Sequence, residues 1–212
     1  MPKNSGSIVD VFRERILRRC FRAIGFEILR YAPGKRRLYH GEELLLSSAG
    51  QIGLIEARFL GELVRNASAD GPIIEVGTLF GESTRFIAVF KEKSQILITV
   101  DNYCWNPLGI SSEAHFEVTS ARLREAKEAL NVQQVRIDKG EFYRTYSGAK
   151  PALVFLDAGH GYESTRDDIA WARGAGARVI CGHDYTEDWP GVVRAVKEAG
   201  GPSRLVGSVW VL

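Results

Sequence analysis

The segment from Leu153 to Tyr185 constrains this chain most. Two short apolar runs, Leu153-Val154-Phe155-Leu156 and Val179-Ile180-Cys181, each run out into acid and imidazole. The first leads into Asp157-Ala158-Gly159-His160 and the second into Gly182-His183-Asp184-Tyr185. Between them, Glu163 to Ala175 reads as a helix. Strand, helix, strand is a parallel unit whose two strand ends emerge on one edge of a sheet. That edge is where open α/β sheets bind ligands. Two carboxylates and two imidazoles delivered there point to a metal or proton-transfer site rather than a packing accident.

The rest of the chain extends the same pattern. From Pro72 onward, strands at Ile73–Val76, Ile96–Val100 and Val135–Ile137 precede the two opening runs, with helices between them. Trp189–Ala199 adds a helix with Pro190 in its first turn, and Arg204–Val206 with Val209–Val211 fits a closing hairpin. Alternation of this kind predicts an α/β fold, a doubly wound, mostly parallel seven-stranded sheet. A helix from Gln51 to Asn66 precedes it. Domain 51–212 is thus set apart from an arm, 1–50. Residues 8–31 of that arm read as a basic amphipathic helix interrupted near Gly25, and Ala32-Pro33-Gly34-Lys35 reads as a turn.

Bulk properties narrow the class. With 212 residues, 45% hydrophobic and 25% charged, the chain can bury a globular core. A net charge of +2 gives no nucleic-acid footprint. Three widely spaced cysteines, Cys20, Cys104 and Cys181, predict a reduced, cytoplasmic protein. No apolar stretch is long enough to span a bilayer, and charges interrupt the N-terminal apolar pattern, unlike a cleavable signal.

Glu75-Val76-Gly77-Thr78-Leu79-Phe80-Gly81-Glu82-Ser83-Thr84 follows the first strand and opens a helix. Gly77 lets the backbone turn sharply and approach a ligand, and Gly81 allows close packing at the helix start. Ser83 or Thr84 could bond a ligand or cap the helix. Asp101 ends the next strand, at the distance where an acid reads ribose hydroxyls. The glycine spacing is not the dinucleotide fingerprint, because a third glycine is missing. Glu75 before the turn repels a pyrophosphate but suits a cationic ligand.

This ordered set resembles the cofactor motif of class I S-adenosylmethionine-dependent methyltransferases. The resemblance covers about residues 51 to 212. It implies cofactor contacts at Glu75, Gly77, Thr78, Gly81, Ser83, Asp101 and Asp157, with Asp101 on the ribose hydroxyls. Asp157, His160 and Asp184 are similar to the signature of a metal-dependent subgroup of O-methyltransferases, the macrocin-type and mycinamicin-type sugar enzymes and cephalosporin-biosynthesis relatives. There the fourth-strand aspartate and an acidic pair after the fifth bind magnesium, and the histidine is a general base in some members. The resemblance therefore implies catalytic roles for His160 and Asp157 and a metal held by Asp157, His183 and Asp184. His183 stands where the subgroup has an acid. Magnesium prefers oxygen ligands, whereas imidazole favours manganese or a softer ion.

The implied function is S-adenosylmethionine-dependent O-methylation of a sugar or secondary-metabolite hydroxyl, with a divalent metal, magnesium in the resembling subgroup. Three other classes stay open: a nicotinamide-dependent oxidoreductase on a similar sheet, a non-catalytic partner protein that keeps the fold, and a hydroxylase or hydrolase that uses the metal site. The arginine-rich arm could lie on an anionic membrane surface or cover a homo-oligomer interface. The loop from Asn102 to Ala114, with Tyr103, Trp105 and Pro107, could be a substrate lid or a structural loop. Tyr185 and Trp189 fit packing as well as substrate contact. Solvent exposure is the default for His40 and His115.

Overall fold

The computed structural model describes residues 26–32, 35–40, 52–105 and 110–212. The chain divides into two units, 1–48 and 49–212. In the first, β1 (Phe26–Ala32) and β2 (Lys35–His40) form an antiparallel pair in which Phe26 faces His40. This corrects the expectation of a helix through residue 31. Ile24 and Ile28 share helical spacing, but the stretch from Phe26 is a short β-prone run next to the expected turn. Periodicity alone does not separate a strand from a helix over such a length. The remainder of the expected basic helix, 8–25, lies outside the described residues.

The second unit carries the expected sheet. Its parallel strands are β3 (Ile73–Val76), β4 (Leu97–Asp101), β5 (Val132–Arg136), β6 (Leu153–Leu156) and β7 (Val179–Gly182). The hairpin β8 (Arg204–Val206) and β9 (Val209–Val211) closes it, with β9 antiparallel to β7. The order is β5-β4-β3-β6-β7-β9-β8. Chain order reverses between β3 and β6, so a crevice opens at their carboxyl ends.

Helices α1 (Leu54–Asn66), α2 (Glu82–Phe90), α3 (Ser112–Arg122), α4 (Arg124–Ala129), α5 (Lys139–Thr145), α6 (Tyr162–Gly174) and α7 (Pro190–Glu198) accompany the strands. β3 and β6 are buried along their whole length, consistent with cover on both faces. Ile74, Val154, Ile180 and Trp210 belong to one apolar cluster beneath the site. Two elements differ from expectation. β5 begins three residues earlier than the apolar pattern indicated, because its polar Gln133 and Gln134 hide the strand. The short α5 carries no apolar periodicity of its own, and Asp138 caps it by accepting from the amides of Gly140 and Glu141.

Candidate active site

The turn after β3 is built by close approach. Gly77 has φ +102, and a Cβ there would lie 2.0 Å from the carbonyl oxygen of Asp157. β3 and β6 therefore run together at the crevice only because this residue has no side chain. Gly81, at φ +77, opens α2, and a Cβ there would lie 2.8 Å from Leu123 Cδ2. It positions the helix rather than lining the crevice. The Thr78 hydroxyl bonds that of Thr99 at 2.6 Å, and Ser83 lies on the crevice wall.

Asp101 does more than the sequence indicated. Its Oδ2 accepts from the amides of Thr78 at 2.8 Å and Leu79 at 2.9 Å, and its Oδ1 accepts from Tyr103 at 2.7 Å. The carboxylate thus pins the glycine turn. A carboxylate has about four lone-pair sites, which leaves capacity toward the crevice. Glu75 is placed differently from expectation. It is fully buried below the turn, not on the crevice wall, and accepts from the hydroxyls of Thr84 and of Thr99, the latter at 2.6 Å. Burial pushes its carboxyl up to about 7, against the opposing hydroxyl contacts. His115, read as exposed by default, is also fully buried, and its Nε2 lies 3.0 Å from the carbonyl of Leu79. Tyr103 is buried and accepts from Gln134 at 2.8 Å, whereas Trp105 is 60% exposed on the cavity rim. Pro107 lies outside the described residues.

Across the crevice, β6 and β7 deliver their polar ends as expected. Ligand atoms of Asp157, His160 and Asp184 all lie within 4.8 Å of one another. His160 Nε2 is 2.6 Å from Asp184 Oδ2 and 4.0 Å from Asp157 Oδ1. The indole of Trp189 stacks on the His160 ring with centroids 4.3 Å apart. The Asp184 carboxylate raises the His160 pKa above its ordinary value, against burial. Burial pushes Asp157 up to about 6, opposed by His183 and reinforced by Asp184. Burial also opposes ionisation of Asp184, yet the two imidazoles hold it well below the usual carboxylate range.

His183 is the member whose surroundings the sequence could not show. Its side chain is almost fully buried. Nδ1 faces Asp184 at 3.2 Å and Asp157 at 3.7 Å, while Nε2 faces Glu56 of α1 at 3.5 Å. Burial works against its charge, but the flanking carboxylates outweigh that and push it up to about 10. In its protonated form, with both nitrogens facing carboxylates, His183 offers no lone pair to a metal. Glu56 is the residue that motif reading missed. It accepts from the Ser208 amide and hydroxyl, both at 2.7 Å, and from the Gly53 amide at 2.6 Å. Contact with His183 and these bonds, against burial, bring it down to about 2. No local spacing connects Glu56 to a strand end, so nothing in the sequence singled it out.

Both halves line one cavity of about 310 Å³: Gly77, Thr78 and Asp101 on one side, Asp157, Gly159 and His160 on the other. That volume is within the range of small-molecule sites.

No protein-family model and no curated protein sequence matches the chain. Solved structures do match. An O-methyltransferase from Bacillus cereus in complex with S-adenosylhomocysteine aligns at 19% identity over 80% of this chain and 87% of that one, with a TM-score of 0.59. The O-methyltransferase TomG from Streptomyces achromogenes, involved in tomaymycin synthesis and bound to S-adenosylmethionine, aligns at 21% identity over 76% and 78%, TM-score 0.53. The TDP-rhamnose 3'-O-methyltransferase CalS11 of calicheamicin biosynthesis aligns at 18% over 98% and 95%, TM-score 0.53. The chain therefore has the fold of S-adenosylmethionine-dependent O-methyltransferases, a Rossmann-like sheet with an antiparallel end.

Proposed function

We propose that this chain is an S-adenosylmethionine-dependent O-methyltransferase that acts, with a divalent metal, on a hydroxyl of a sugar or secondary metabolite. One observation carries the proposal: the glycine turn with Asp101 and the pair Asp157 and His160 line the same cavity. A cofactor half and a proton-transfer half face each other across a space of ligand size. The fold neighbours add that proteins with this fold include O-methyltransferases in complex with S-adenosylhomocysteine or S-adenosylmethionine. A nicotinamide cofactor suits the site less well, because Glu75, Asp101 and Asp157 surround the turn where a pyrophosphate would lie.

The turn from Gly77 to Thr78, Ser83 and Asp101 would hold the cofactor, with spare lone pairs of Asp101 facing the ribose hydroxyls. Glu75 and Gly81 support the turn from beneath. Bound there, S-adenosylmethionine supplies an activated methyl group, and a divalent ion supplies positive charge that acidifies a nearby hydroxyl. Asp157 and Asp184 fit such an ion. An oxygen of each lies within 4.8 Å of the other, and a cation would relieve the burial and mutual repulsion that raise Asp157. Their oxygen donors suit magnesium. His183 is read here as the charge partner that fixes the two aspartates, not as a ligand. His160 would receive the acceptor's hydroxyl proton at Nδ1, because its Nε2 faces Asp184 at 2.6 Å. Asp184 holds the imidazole that carries it, and Trp189 fixes the ring plane.

Among the described residues no helix is long and apolar enough to cross a membrane. The cytoplasmic assignment rests on the widely spaced cysteines. The arm's lipid or oligomer contact rests on residues 8–25, outside the described set.

The test is formation of S-adenosylhomocysteine from S-adenosylmethionine across a panel of hydroxylated sugars and natural products, with and without chelator. Turnover that chelator abolishes and magnesium or manganese restores supports the full proposal. Turnover unchanged in excess chelator removes the metal. A nicotinamide-dependent signal, or full retention of function when Asp157, His160 and Asp184 are changed to alanine, would replace the proposal by the oxidoreductase or partner-protein alternative.

A further inference from the structure

Leu79 lies in the cofactor-side turn with φ +47, a left-handed conformation that leucine rarely adopts. Such a backbone persists only where its surroundings hold it. Three bonds do so here. Its amide donates to Asp101 at 2.9 Å, and its carbonyl accepts from His115 Nε2 at 3.0 Å and from the Thr119 hydroxyl at 2.8 Å. A carbonyl can only accept, so His115 carries its ring proton on Nε2.

His115 and Thr119 are the buried residues of α3, one turn apart, and both are fully enclosed. The His115 ring packs against Phe80 at 4.4 Å and Tyr103 at 5.2 Å, and its Nδ1 has no hydrogen-bond partner. Burying two polar side chains is unfavourable unless their bonds are used. Here both converge on a single carbonyl of the turn that lines the cavity. We propose that His115 and Thr119 are positioning residues for the cofactor: they hold Leu79 left-handed so that the Thr78 and Leu79 amides stay on Asp101. This inference rests on the proposed function. It makes α3, which follows the Trp105 loop, part of the cofactor site without touching the ligand.

The experiment is calorimetric titration of the full chain with S-adenosylhomocysteine, with thermal melting recorded on each variant. His115→Phe keeps a ring and loses the donor, and Thr119→Val keeps the shape and loses the hydroxyl. Each should weaken binding roughly five- to ten-fold, the loss of one hydrogen bond, while His115→Gln and Thr119→Ser restore it to within about two-fold. Leu79→Gly adopts the same φ without help, so Thr119→Val should cost little in that background. The inference is overturned if the unaltered chain binds and His115→Phe and Thr119→Val bind equally well. It is also overturned if Thr119→Val costs as much beside Leu79→Gly, or if Gln and Ser fail to rescue. An unaltered chain that binds no S-adenosylhomocysteine defeats the proposed function itself, and this inference with it.

Discussion

At the residue scale, the behaviour of His160 follows from what faces it. Asp184 raises its pKa, so a proton acceptor at this position is neutral only above its ordinary value near 6.5. Removing the carboxylate with Asp184→Asn should lower the His160 pKa, read from its ring proton shifts in an NMR titration. An unchanged pKa would mean that the pair does not interact. The acid limb of any methyl-transfer rate should move to lower pH with it, and His160→Ala should cut kcat by roughly 10²–10⁴-fold. At Gly77 steric closeness decides. Gly77→Ala combines a left-handed φ with a clash against the Asp157 carbonyl. It should cost on the order of 3 kcal/mol in denaturant unfolding. A cost near zero would refute the close approach of the β3 and β6 ends.

Which residues were legible follows from the same contacts. Asp157, His160 and Asp184 stand at strand ends, where position in the sequence predicts position in space. Glu56 and His115 act across long separations, 152 residues to Ser208 and 36 to Leu79. Nothing local marks them. Glu75 and His183 were legible as polar residues near a site, but not in orientation. Whether each faces the cavity or the interior depends on Thr84, Thr99 and Glu56, supplied by other elements.

At the element scale, Glu56 ties α1 to the sheet edge, beside the Glu62–Arg204 pair that links α1 to β8. Glu56 joins the α1 N-terminus at Gly53, the β8–β9 turn at Ser208 and the β7 end at His183. Its pKa falls from 4.5 to about 2 on folding, so the folded state binds this proton less tightly than the unfolded chain. The resulting stability is fully present above pH 4.5 and is lost as pH falls through about 2. Glu56→Gln should lower the melting temperature at pH 7 and reduce the acid dependence between these limits. Parallel curves for the two proteins would contradict the assignment. His183 works in the opposite sense. Raised from 6.5 to about 10, it contributes stability that is fully present below pH 6.5 and is lost as pH rises through about 10. The elements read best from sequence were β3, β6, β8 and β9, whose apolar runs are bounded by turn residues. β5 and α5 were obscured because their polar side chains carry no period.

At the scale of the whole molecule, strand order turns scattered residues into a site. Because the sheet runs β4-β3-β6-β7, four consecutive strand ends bring Asp101, Gly77, Asp157 and Asp184 to one edge. Their sequence spacing alone suggested a ligand edge, and the sheet gives it a definite lining. Under the proposed function the acid and imidazole ends of β6 and β7 take separate roles: Asp157 and Asp184 as paired oxygen donors, His160 as proton acceptor, and His183 as a charge partner beside Glu56. The claim from which these roles follow is that the β3 turn binds the methyl-donor cofactor. Calorimetric titration of the unaltered chain with S-adenosylhomocysteine tests it most directly. The account predicts saturable one-to-one binding with Kd on the order of micromolar to tens of micromolar, about −6 to −8 kcal/mol. Absence of any binding heat at millimolar ligand, with the chain shown to be folded, would contradict it.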